Sequence, residues 1–173
     1  LDIQPAAVMI DFGAGTGTFA ITVAQHCHTV HAVDVSPAML GYARRKAAAA
    51  GVTNIQWHHA GFLTYEHSGA PVDAITTTFA FHHLPDYWKG IALKRLHAVL
   101  KPGGQFYLRD VVMEETDSMA NIATLIEQQA AAGGDFLRED AEAHFREEFS
   151  TYDWVMDGLF SRAGFEITHK QID

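Results

Sequence analysis

The segment Asp11-Phe12-Gly13-Ala14-Gly15-Thr16-Gly17 constrains the fold more than any other part of this chain. It follows a strand-like run, Ala7-Val8-Met9-Ile10-Asp11-Phe12, and precedes a helix-period stretch from about Gly17 to His26. Glycines at alternate positions let the backbone turn sharply and bring a ligand against bare peptide groups, beside the open amides of a helix N-terminus. A second strand, Val30-His31-Ala32-Val33, ends at Asp34, whose acceptor-only carboxylate suits two ribose hydroxyls. Both features fall at the carboxyl edge of a parallel sheet, where open α/β folds bind ligands. The plainer alternative, a tight turn and a helix capped by Asp34, leaves three alternating glycines unexplained.

Strand-length apolar runs alternate with helix-period segments along the chain, the pattern of a βαβ-built sheet. Ser36-Pro37 starts a helix as N-cap and first helical residue, and Gly51 ends it after Ala47–Ala50. Further strands are predicted at Ile55–His59, from Asp73 to about Phe79, and at Gln105–Val112. Leu84-Pro85-Asp86 opens a helix that Lys101-Pro102-Gly103-Gly104 ends. Helical pattern returns at Met119–Ala132 and is broken by Gly133-Gly134; an acidic amphipathic stretch follows, then a helix ending at Ala163 with Gly164 as cap, and a last strand at Phe165–Thr168. The expected fold is α/β: a Rossmann-like, doubly wound, mostly parallel sheet with helices on both faces. The expected organisation is a single domain over residues 1–173, with a helical insertion at about 116–152.

Composition narrows the function. With 12 Lys plus Arg against 21 Asp plus Glu, the formal charge is -9, a field that repels a phosphate backbone, so no nucleic-acid partner is expected. No apolar run reaches the length of a membrane helix. The chain opens Leu1-Asp2-Ile3-Gln4-Pro5 without a secretory signal, so the expected location is cytoplasmic. One cysteine, Cys27, excludes an internal disulfide and a multi-cysteine zinc site. The expected assembly is a monomer or a homodimer.

The glycines alone leave the ligand open, since Gly15-Thr16-Gly17-Thr18-Phe19-Ala20 also fits a relaxed dinucleotide fingerprint. Four ordered stretches go further. Val8 to Gly17 resembles motif I of the class I S-adenosylmethionine-dependent methyltransferases, and Val33-Asp34-Val35-Ser36-Pro37-Ala38-Met39-Leu40 resembles that family's acidic second motif. Phe81-His82-His83-Leu84-Pro85-Asp86 and Leu100-Lys101-Pro102-Gly103-Gly104 resemble its later signatures. The likeness spans about Val8 to Val112 and is nearest the small-molecule branch that includes ubiquinone-biosynthesis-type enzymes. Against the family's usual extent, the chain is expected to lack N-terminal and C-terminal segments.

The resemblance implies S-adenosyl-L-methionine as cofactor and a small-molecule methyl acceptor. It places the loop residues Gly13, Ala14, Gly15 and Gly17 near the methionine part of the cofactor, and Asp11 behind that loop and the ammonium group. Asp34 is implied to hold the ribose hydroxyls, Val35 and Met39 to pack on the adenine, and Thr78 and Phe79 to lie beside the methionine moiety. Where the family often carries an acid that accepts from the adenine amino group, this chain has Gly61, which leaves that contact to backbone and to Phe62. The family's Asn/Asp-Pro-Pro-aromatic mark of base or glutamine methylation is replaced by Thr77-Thr78-Phe79-Ala80, which points to a small molecule.

His83, His82 and Asp110, near the ends of the fourth and fifth strands, are candidate proton acceptors. Turn-lining or capping roles are the alternatives. No metal is expected: His58-His59 and His82-His83 are adjacent pairs that cannot chelate on an extended strand, and His26, His28 and His31 lack i, i+4 spacing. The rival functions are an NAD(P)-dependent oxidoreductase domain and a non-catalytic S-adenosylmethionine-binding module.

Overall fold

A computed structural model describes residues 3–172. The chain folds as two compact units, Leu1–Phe81 with Ile91–Asp110, and His82–Gly90 with Val111–Asp173.

The first unit is built on a five-stranded sheet of β1 (Val8–Phe12), β2 (Thr29–Asp34), β3 (Ile55–His59), β4 (Val72–Thr78) and β5 (Leu100–Arg109), in the order β3-β2-β1-β4-β5. Every pairing is parallel. Buried parallel strands carry near-continuous apolar side chains, and Met9, Ile10, Phe12, Val30, Val33, Val72 and Ile75 are almost wholly buried. The helices are α1 (Thr18–Val23), α2 (Pro37–Ala49) and the part of α3 (Asp86–Val99) from Ile91 on. The core between them is rich in alanine, with Ala20, Ala24, Ala32, Ala47 and Ala74 in one cluster. Small residues bring the helices close: a Cβ on Gly17 would stand 2.8 Å from that of Ala43 and 3.2 Å from the Trp57 ring. Asp73 ties three strands at their base, accepting from the Val8 amide at 2.8 Å and from Lys101 Nζ at 2.6 Å. The Lys101 hydrogen bond holds its carboxyl below the ordinary value.

Several boundaries differ from the sequence reading. α1 is shorter than Gly17–His26, because the amides of Gln25 and His26 turn to carbonyls three residues back, which tightens and closes the helix. β4 stops at Thr78 because Phe79 has φ 50, outside extended backbone. β5 starts at Leu100, so Lys101–Gly104 is a bulge inside the strand: Val72 pairs with Leu100 and Ala74 with Gln105. It ends at Arg109 rather than Val112, where Asp110 turns its carboxylate to the Phe81 amide at 2.7 Å.

The second unit contains α4 (Ser118–Glu147), α5 (Asp153–Ala163) and a short parallel pair, β6 (Val112–Met113) with β7 (Thr151–Tyr152). The break expected at Gly133-Gly134 is present as non-helical backbone dividing α4. Ser36 and Gly164 cap their helices as read. Phe165–Thr168 is not a strand; its β-favouring side chains meet no ladder partner among the described residues, and propensity without pairing does not make a strand.

A buried lysine organises this unit. Lys89 is 2% exposed. Its Nζ donates to Asp86 Oδ1 at 2.9 Å and to the Phe149 carbonyl, while the Thr151 hydroxyl donates to Asp86 Oδ2 at 3.0 Å. Lys89→Ala would leave the Phe149 carbonyl unsatisfied and Asp86 without its cation. The expected loss is about 2–4 kcal/mol in urea denaturation followed by circular dichroism, whereas an unchanged midpoint would refute this role.

Candidate functional site

β1 and β4 lie side by side, and the chain leaves β1 towards β2 and β3 on one flank and β4 towards β5 on the other. The carboxyl ends of β1 and β4 therefore form the switch point at which open α/β sheets bind ligands. The glycine loop follows β1. Gly13 has φ 69, and a Cβ there would sit 2.3 Å from the Ala80 Cβ on the segment after β4. The loop is held from β2: the amides of Gly13 and Ala14 donate to the Val33 carbonyl at 2.9 and 3.1 Å.

Asp34 continues that clamp. Its Oδ2 accepts from the Gly15 amide at 2.7 Å and its Oδ1 from the Ser36 amide at 2.8 Å. The side chain thus caps the turn before α2 and also orients the glycine loop. An ionised carboxylate offers about four acceptor positions, so each oxygen keeps acceptor capacity beyond its one amide.

Asp11 stands behind the loop, 4% exposed, with Oδ1 accepting from the Thr76 hydroxyl at 2.7 Å. Burial pushes its carboxyl up to about 7; the Thr76 hydrogen bond opposes this and the Asp34 charge adds to it.

The other cofactor candidates divide by exposure. Val35 and Met39 are exposed apolar side chains beyond the end of β2. Gly61 packs closely against the first of them, since a Cβ would come within 2.9 Å of Val35 Cγ1. Phe62 stacks on Phe12 at 5.0 Å and meets Phe81 edge-on at 5.1 Å, so its ring belongs to an aromatic cluster. Thr78 and Phe79 are exposed at the end of β4, and the Arg109 guanidinium lies 5.3 Å from the centre of the Phe79 ring.

Among the proton-acceptor candidates, Asp110 belongs to the first unit and spends one oxygen on the Phe81 amide, which makes it a shaper of the turn after β4. His82 and His83 belong to the second unit, and both face Glu148: His82 Nε2 is 3.0 Å from Oε2 and His83 Nδ1 is 3.5 Å from Oε1. His144 Nδ1 touches the same Oε2. The sequence reading missed His144 and Glu148, although their i, i+4 spacing was a visible signal. It also missed the pairing of His31 with His58, whose rings meet at 3.1 Å across β2 and β3. Burial, then the His58 and His67 rings, push His31 down to about 4.

A family described as "Methyltransferase domain" matches residues 9–104. The chain belongs to that family. An uncharacterized methyltransferase of Geobacillus kaustophilus is 31% identical over 164 residues, covering 95% of this chain and 71% of that protein. Among solved structures, the YcgJ protein of Bacillus subtilis superposes with TM-score 0.72 at 21% identity, covering 94% of this chain. This chain spans 63% of the YcgJ chain. CalS10 of Micromonospora echinaspora, an amino pentose methyltransferase solved with S-adenosylmethionine bound, has TM-score 0.56 and 29% identity, covering 64% of this chain and 45% of its own. The family match takes in every cofactor candidate from Asp11 to Phe79, while Asp110, His144 and Glu148 lie outside it. No helix among the described residues is long and apolar enough to cross a membrane.

The Asp11 environment has a measurable consequence. A carboxyl with a folded value of about 7 and an ordinary value of 3.8 favours the fold fully below pH 3.8, and that contribution is lost as pH rises through 7. Asp11→Asn keeps an acceptor for Thr76 and abolishes the titration. Its unfolding free energy relative to the parent chain should rise between pH 4 and pH 7.5, by up to about 4 kcal/mol. Taking the difference at each pH cancels the opposite trend from His31, which loses stability as pH falls from 6.5 through 4. Parallel curves for the two proteins would refute the assignment.

Proposed function

We propose that this chain carries the cofactor site of an S-adenosylmethionine-dependent methyltransferase acting on a small, neutral or cationic acceptor. The observation that carries the reading is Asp34 at the switch point, held by the Gly15 and Ser36 amides with one acceptor position free on each oxygen. The residues present suit such a cofactor. Asp34 takes the two ribose hydroxyls, Asp11 faces the ammonium of the amino-acid end, and Gly13 and Gly15 let that end lie against backbone. Val35 and Met39 flank the adenine, and Gly61 keeps its edge clear. Thr78 and Phe79 border the methionine end. The S-adenosylmethionine bound by CalS10, similar in fold and 29% identical, supports the same ligand here.

Bound in this way, the cofactor supplies an electrophilic methyl group on a sulfonium, a good leaving group. The chain's task is then to hold the acceptor in line and keep water out, and positioning of this kind accounts for a large part of such a barrier. The charge of -9 and the absence of an Asn/Asp-Pro-Pro-aromatic tetrapeptide after β4 support a small molecule over a nucleic acid.

Calorimetric titration with S-adenosylhomocysteine tests the site, with NADH as the competing ligand. The parent chain should bind the first saturably and the second not at all. Asp34→Ala should weaken binding about tenfold or more, since it removes two charge-assisted hydrogen bonds. Affinity within twofold of the parent, in a variant whose circular dichroism is native, would overturn the ribose assignment. Binding of NADH alone would move the chain to the oxidoreductases.

A further inference from the structure

We propose that His82, His144 and Glu148 form a binding site for a divalent transition-metal ion of the zinc class, inside the second unit and independent of the methyl-transfer reading. Their ligand atoms, His82 Nε2, His144 Nδ1 and a Glu148 carboxylate oxygen, lie within 4.8 Å of one another. Donors sharing one tetrahedral zinc at its usual bond lengths stand about 3.3 Å apart, and His82 Nε2 is already 3.0 Å from Glu148 Oε2.

Three observations separate this cluster from a chance meeting of side chains. First, Glu148 Oε2 is cut off from solvent, and the polar atoms it faces are two imidazole nitrogens, His82 Nε2 and His144 Nδ1. A carboxylate oxygen shut away from water needs positive charge beside it, and a cation shared with the two rings supplies it. Second, the far side of one ring is already held: His144 Nε2 lies 2.9 Å from Ser150 Oγ. A hydroxyl accepting the Nε2 proton leaves the Nδ1 lone pair aimed at Oε2, which is how outer partners orient metal-ligating histidines. Third, the ligands sit on a braced frame. His144 and Glu148 are one turn apart at the C-terminal end of α4, and the Phe149 amide donates to the His82 carbonyl at 2.9 Å. Lys89 Nζ holds the Phe149 carbonyl from the other side.

The donor set selects the ion. Two imidazoles and one carboxylate suit zinc and its first-row neighbours, whereas magnesium and calcium prefer oxygen ligands throughout. Three protein ligands leave a fourth position open, as in catalytic rather than structural zinc sites. His83, half-exposed beside Glu148 Oε1, lines the outer side of that carboxylate. The rival is a metal-free ion pair in which one imidazole carries the compensating proton.

Titration of the chelator-stripped chain with zinc, and separately with magnesium, decides between them. We expect one zinc per chain with micromolar or tighter affinity, a rise in Tm with zinc concentration, and no response to magnesium at the same concentrations. Glu148→Gln keeps the volume and removes the charge, and should weaken zinc binding about a hundredfold or more. Ser150→Ala should weaken it about tenfold by releasing the His144 ring. The cobalt(II) derivative of the parent should show the visible bands of a four- or five-coordinate site. Should Glu148→Gln fail to fold, Ser150→Ala and that spectrum carry the test. Zinc uptake unchanged in the variants, or no micromolar binding by the parent, would establish the ion pair and end the proposal.

Discussion

The amides of the glycine loop are held by the end of the neighbouring strand, and the ligand edge of the first unit depends on that clamp. Gly13 and Ala14 donate to Val33, and Gly15 to Asp34, so the loop's shape is borrowed from β2. The clamp requires the parallel register that sets Phe12 beside Val33. A slip of one residue would turn Asp34 to the opposite face and move every buried side chain with it. Close packing serves the same end: a side chain at Gly13 or Gly17 would push apart the segments that the clamp draws together.

Two carboxylates share this edge in different surroundings. Asp34 is satisfied by two amides and keeps acceptor capacity towards the ligand side. Asp11 has one hydroxyl partner and is almost sealed from solvent, so burial pushes its carboxyl up. The arrangement suits a ligand that brings hydroxyls to one and positive charge to the other. The second unit relies on polar contacts to a greater degree. Among its described residues only His82, Lys89, Met156 and Ala163 are fully buried, so two of its four innermost side chains are charged or chargeable. A cation within the histidine–glutamate cluster would give that unit a centre that its apolar side chains do not provide.

Local chemistry made much of the first unit readable. The Ser36-Pro37 start of α2 and the run Ile55–His59, and in the second unit the breaks at Gly133-Gly134 and Gly164, are set by neighbours in the chain, and the structure has them where the pattern put them. The misreadings share a cause. Lys101–Gly104 looks like a plain stop because Pro102 and Gly103 end helices, yet pairing of Leu100 with Val72 draws the stretch into β5 as a bulge. Phe165–Thr168 has the side chains of a strand and no partner among the described residues.

The order of elements, the glycine loop and the acid at the end of β2 are properties of the sequence, because each rests on residues a few positions apart whose backbone preferences and spacing are intrinsic. The meeting of His82 with His144 and Glu148, the pairing of His31 with His58 and the raised carboxyl of Asp11 were decided by the tertiary structure alone. Each depends on which groups are brought close and shut away from water. That is a matter of distance and burial, which residue types and their order do not encode until the chain has folded.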